Sequence, residues 1–200
     1  MRALRIARGM SRTVLAAVLL FASGAGHAAV SWRYVESVDG TRSASTYAQG
    51  RTPGGQVAMR LEVRCQPGAD ATASIVYVIR RANAISGFRF AAFEGPDAPA
   101  LQRKLATIRV IALRRDVSVS TAMSGHFLED GSFAFTLSAP LVGRNAVKWL
   151  TDAMILGAVL IVVTVQDPVD RDKHVYAQFQ ASQAAAPVTN VMDGCAAAPR

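Results

Sequence analysis

The sequence predicts a mainly β protein: an antiparallel sandwich or curled sheet with one or two short helices in the C-terminal third and one disulfide. Three observations carry that expectation. Between Trp32 and Ser138, apolar residues alternate with polar ones in short runs separated by turn residues, the period of a strand with one buried face. Asp39-Gly40 and Asp130-Gly131 each stand between two such runs, and Asp-Gly readily adopts the positive φ angles of a tight hairpin. Cys65 and Cys195 each fall on the inward face of an amphipathic segment.

The N-terminus fixes the compartment. Arg2, Arg5, Arg8 and Arg12 precede the apolar stretch "TVLAAVLLFA" (13 to 22), followed by small residues in "SGAGHA". These are the features of a secretory signal peptide, and Gly26 and Ala28 suit a cut between Ala28 and Ala29. The stretch is too short for a stable membrane span. No cysteine follows the cut to take a lipid, and no paired arginines precede the apolar region, which indicates general export rather than the twin-arginine route. The expected division is therefore a signal peptide at 1–28 and one β-rich periplasmic domain at 29–200. Cleavage removes four arginines and no acid from a chain of formal charge +8, so the remainder is mildly basic. That leans toward anionic partners but falls short of the dense patch that nucleic-acid binding requires.

The elements follow in order. "WRYVESV" and "TRSASTYA" form a hairpin across Asp39-Gly40, and "QGRTPGGQ" (49 to 56) reads as a Gly/Pro-rich connection. "MRLEVRC" places Met59, Leu61, Val63 and Cys65 on the buried face of a strand. Further strands are expected at 74–80, 87–93, 107–113 and 117–123, with a helical turn through "APALQRKLA" after the two prolines of "EGPDAPA". Across Asp130-Gly131, "HFLE" pairs with "SFAFTLS", whose Phe133, Phe135 and Leu137 share the core face.

In "LVGRNAVKWLTDAM", Val142, Ala146, Trp149, Leu150, Ala153 and Met154 follow a helical period with Arg144, Lys148 and Asp152 spread over the other side, which predicts a helix with one apolar face, ending at Gly157. The β-branched "AVLIVVTV" then reads as a buried strand. The uncharged run from Met154 to Val165 is too short to cross a bilayer as a helix, which takes about 20 residues, so no transmembrane span is expected after the signal. A last strand at 174–182 leads into a helix where Val188, Val191, Met192 and Cys195 repeat at helical spacing. In an oxidising compartment two inward cysteines are expected to pair; the alternative is two unpaired, redox-active thiols, against which stands the lack of a C-x-x-C context. Closing a loop of 130 residues stabilises the fold by up to about 5 kcal/mol in the chain-entropy model.

Chemistry-bearing patterns are sparse, and no metal or cofactor set is expected. After the signal only His126 and His174 remain, too few for a zinc site of three or four ligands. Ser124 and His126 share a strand face, yet no nucleophile motif accompanies them. Asp167, Asp170 and Asp172 gather in "QDPVDRDKH", but Arg171 and Lys173 neutralise the loop and no glycine or bidentate Glu completes a calcium site, so it reads as a solvated connection. Tyr77, Phe88, Phe90 and Phe93 read as core. The candidate residues for an anionic partner are the basic pairs Arg80-Arg81, Arg103-Lys104 and Arg114-Arg115, each placed where an element ends.

A tryptophan segment with an acidic turn ("WRYVESVDG"), a strand ending in Arg64-Cys65 ("LEVRC"), and a closing strand, Ala-rich helix and cysteine ("YAQFQASQAAAPVTNVMDGC") resemble small exported proteobacterial proteins of the type VI secretion accessory VasI/TagO type, and more distantly the invasion-associated locus B proteins. The resemblance covers about a third of the chain and lacks the central Arg-x-Asp strand of that family. It implies a periplasmic non-enzyme. The expected function is thus a non-catalytic binding or accessory protein of the cell envelope, whose partner is another envelope protein or an anionic envelope surface. The alternative is a hydrolase of an envelope polymer using His126 or His174.

Overall fold

The computed structural model describes residues 31–68, 71–95 and 97–196. The signal peptide expected at 1–28 lies outside the described residues. Among the described residues ten strands form a single antiparallel sheet: β1 (Arg33–Glu36), β2 (Arg42–Thr52), β3 (Gly55–Gln66), β4 (Thr72–Ile79), β5 (Ala106–Ala112), β6 (Val117–Thr121), β7 (Ser124–Phe127), β8 (Phe133–Pro140), β9 (Ala158–Gln166) and β10 (His174–Gln180). Their order is β6-β5-β9-β10-β2-β3-β4-β8-β7. β1 and β10 pair in succession with the same edge of the long β2: Arg33 to Glu36 lie opposite Ser45 to Arg42, while Ala177 lies opposite Gly50. The expected mainly β class holds, in its curled-sheet form.

Alternation decides which face is buried. The inward residues Met59, Leu61, Val63 and Cys65 of β3 meet Ile79, Tyr77, Ile75 and Ala73 of β4, and β8 adds Phe133 and Phe135. Two helices, α1 (Ala146–Ile155) and α2 (Ala185–Ala196), fill the hollow of the curl with Val147, Leu150, Met154, Val188 and Val191. Asn145 caps α1, its side chain accepting the backbone N–H of Lys148 at 2.9 Å. Cys65 and Cys195 are joined with a Cα separation of 5.7 Å, so the disulfide ties α2 to the end of β3.

The uncharged run that begins at Met154 divides between the end of α1 and β9, where Ile161, Val163 and Val165 are fully buried. It is core, and no helix of the described residues is long and apolar enough to cross a membrane. Both Asp-Gly hairpins form, with Gly40 and Gly131 at φ +79° and +74°.

Four expectations need correction. Residues 49–56 are not a connection that breaks the strands: β2 runs to Thr52 and β3 starts at Gly55, leaving only Pro53-Gly54 as a tight turn. Residues 87–93 form no strand. Phe88, Phe90 and Phe93 all point inward, at spacings of two and three, and pack rings with Phe133 and Phe135, so the chain turns as a short 3-10 helix at Phe90–Phe93. Of the residues expected on one apolar face of α1, Val142 precedes the helix and is 85% exposed, and Trp149 lies on its outer side at 51% exposure, because Leu150 and Met154 already occupy the inward stripe.

The fourth correction concerns Asp167, which is fully buried rather than solvated. It accepts the backbone N–H groups of Arg89, Val169 and Asp170, each at 2.9 Å, and pairs with Arg89 Nη1 at 2.6 Å. Burial disfavours its charge, yet the three N–H donors and the guanidinium outweigh that and hold its carboxyl below the ordinary aspartate range.

Candidate functional site

The outward face of β3, β4, β8 and β7 carries the most developed site. Because the side-chain period is two, the residues of β3 that alternate with its core face are Arg60, Glu62 and Arg64. Pairing sets their neighbours in rows across the sheet: Tyr47, Arg60, Val78, Ala134 and His126 form one, and Ser45, Glu62, Val76, Thr136 and Ser124 the next. A third runs through Ser43, Arg64, Ser74 and Ser138.

These rows enclose a trough of about 270 Å³. Val76, Val78 and Ala134, nearly buried and backed by Leu128, form its apolar floor. Glu62 is only 4% exposed. Arg64 Nε donates to it at 3.0 Å and Arg60 Nη2 lies 3.3 Å from its other oxygen, so a buried carboxylate holds two guanidinium groups in place. Within the trough one acid shared by two bases leaves one positive charge in excess, with Asp39 outside it near enough to Arg64 to feel that charge. Arg60 Nε is buried with no hydrogen-bond partner, and the two Nη groups of Arg64 make no hydrogen bond among the described residues. On the far wall Ser74 and Ser138 share a hydrogen bond of 2.9 Å.

The arrangement therefore offers fixed donors and a positive charge beside an apolar floor. Such a surface suits an anionic group carried on an aliphatic or ring-bearing chain. Among the described residues no cluster of three or more His, Cys, Asp or Glu could hold a metal ion.

Of the two histidines, His126 lines the trough and His174 opens β10, five strands away in the sheet order. At a strand spacing of about 4.8 Å they cannot share a site. His174 Nδ1 lies 3.3 Å from the Asp172 carbonyl, and no hydrogen bond joins His126 to a carboxylate among the described residues.

The basic pairs named from sequence are spread out. Arg80-Arg81 follow β4, with Arg81 at φ +51°. Arg103-Lys104 precede β5 and Arg114-Arg115 follow it, so these two pairs stand at opposite ends of a seven-residue strand, about 20 Å apart. Arg103 donates to the Pro168 carbonyl and is thus bound into the fold. No single basic face forms from the three pairs.

Sequence reasoning missed Arg60, Glu62 and Arg64. The signal was present, since the alternation that sends Met59, Leu61 and Val63 inward sends these three outward. A sequence does not say that the β7-β8 hairpin joins β4 to complete the trough, because the pairing of β4 with β8 is non-local. Comparison with known proteins found no matching family model, no matching curated protein and no matching solved structure.

Proposed function

We propose that this chain is an exported, non-catalytic binding or accessory protein of the cell envelope, and that it grips an anionic group of its partner in the outer-face trough. The observation that carries the reading is the Arg60-Glu62-Arg64 set, with guanidinium donors left over above an apolar floor. The charged N-terminus and apolar stretch before Ala28 support export, and the resemblance to proteins of the VasI/TagO type supports an accessory role. The hydrolase alternative gains less support, because among the described residues no acid is bonded to His126 and His174 is remote from it.

The test is a backbone-amide NMR titration with inorganic phosphate and with short acidic peptides carrying aliphatic side chains. Saturable shifts confined to β3, β4, β7 and β8 are expected, and Arg64→Ser should weaken them about tenfold, as loss of one charge-assisted pair implies. Absence of saturable shifts with any of these probes, or shifts indifferent to Arg64→Ser, would contradict the reading.

A further inference from the structure

A second surface lies away from the trough, at the C-terminal end of α1. Leu113 is 85% exposed, Leu156 70%, Trp149 51% and Val159 42%. The backbone brings them together. Leu113 N–H donates to the Gly157 carbonyl at 3.4 Å, and Ala112 pairs with Ala158, so Leu113 sits against the turn that carries Leu156 and Val159. Trp149 precedes Leu156 by seven residues, two helical turns, and so shares its side of α1 about 10 Å along the axis.

The charge around this ridge is uneven. Arg114 and Arg115 follow Leu113 directly, both exposed and both without an ion pair among the described residues. Two acids near the ridge are each matched by a base, Asp116 by Arg109 at 2.7 Å and Asp152 by Lys148 at 3.1 Å, while Asp193 lies beside Ile155 and Lys148. Arg114 and Arg115 thus bring two positive charges with no acid paired to them among the described residues, beside four protruding apolar side chains.

We propose that this ridge docks the protein on an anionic lipid surface, Leu113, Leu156, Val159 and Trp149 entering the headgroup region while Arg114 and Arg115 meet lipid phosphates. Apolar side chains that stand out from the fold, with one aromatic ring and flanking arginines, match the chemistry of an interfacial contact. A protein partner would equally cover apolar surface, but the unpaired positive charge favours the phosphate-rich surface. Contact of this kind is peripheral: four side chains enter the interface and nothing spans it.

The fold supplies its own reporter. Trp32 is buried and donates its Nε1–H to the Gln180 carbonyl, whereas Trp149 stands on the ridge. The experiment mixes the full chain with vesicles of phosphatidylcholine alone or with phosphatidylglycerol, and follows tryptophan emission and its quenching by brominated acyl chains. A blue shift and quenching are expected with the anionic vesicles, reduced by salt and lost in Trp149→Phe. Leu113→Asp should weaken vesicle binding roughly tenfold or more, the loss expected when an apolar side chain no longer leaves water.

Arg114→Glu with Arg115→Glu leaves the apolar residues in place and should abolish the preference for anionic lipid. Binding unchanged in both variants would trace to another segment, such as the apolar residues 13–22, and would overturn the proposal. So would a dimer in sedimentation velocity that Leu113→Asp dissolves while no vesicle binding is seen.

Discussion

Asp167 shows how a single side chain can organise two distant segments. Its carboxylate gathers three backbone N–H groups and a guanidinium from residues as far apart as Arg89 and Asp170, and the folded state needs it ionised. Because its folded pKa lies below the ordinary value, its stabilisation is complete above the unfolded-state pKa near 4. It is lost as pH falls through the lowered folded value.

Asp167→Asn should therefore lower stability by about 1–3 kcal/mol at neutral pH. The difference from the parent chain should shrink below about pH 4 in urea denaturation series. A penalty that stayed constant across that range would show that the charge is not what matters. Sequence reasoning placed this residue in a solvated loop because its burial depends on Arg89, 78 residues away. No local pattern carries that distance. The same limit applies to the trough, where alternation gives the direction of Arg60, Glu62 and Arg64 but not the joining of β4 to β8 that forms its far wall.

Among the elements, those with a strong period or a specific turn residue were legible. The two Asp-Gly hairpins, the strand bearing Cys65, the helix ending before Gly157 and the apolar strand after it all form where patterning puts them, within a few residues. The failures arise where turn chemistry was read too broadly or where tertiary packing overrides local signals. Gly and Pro at 53–55 shape a hairpin rather than a loop, and three phenylalanines between 88 and 93 supply core volume without strand pairing.

β2 gives an element-scale prediction. Gly50 lies between β3 and β10, opposite both Val57 and Ala177. A Cβ there would collide with Met59 Sδ and stand 2.7 Å from the Tyr176 carbonyl oxygen. Met59 cannot swing away freely, since it is fully buried and its sulfur accepts the Tyr77 hydroxyl at 2.6 Å. Gly50→Ala should cost about 1–3 kcal/mol, seen as a lower thermal midpoint. An unchanged midpoint would mean that the junction of β10 with β2 is looser than described.

At the scale of the whole molecule, one sheet curls around two helices and a covalent link holds the second of them. The sequence showed this class through alternation and through two cysteines at inward positions, whereas the strand order and the joining of β1 and β10 to one edge of β2 depend on contacts no local pattern reveals. Cys65→Ser with Cys195→Ser should lower stability by about 2–5 kcal/mol, as for a native link in a small exported domain. Equal thermal midpoints for the parent and the double variant would remove the link from the account of stability.

The proposed export and the closure by the Cys65-Cys195 disulfide are both read by intact mass of the chain released from the periplasm by osmotic shock, alkylated with and without prior reduction. The expected result is a soluble species beginning at Ala29 that takes alkyl groups on Cys65 and Cys195 only after reduction. A chain that keeps residues 1–28 in the membrane fraction, or whose cysteines react without reduction, would contradict it.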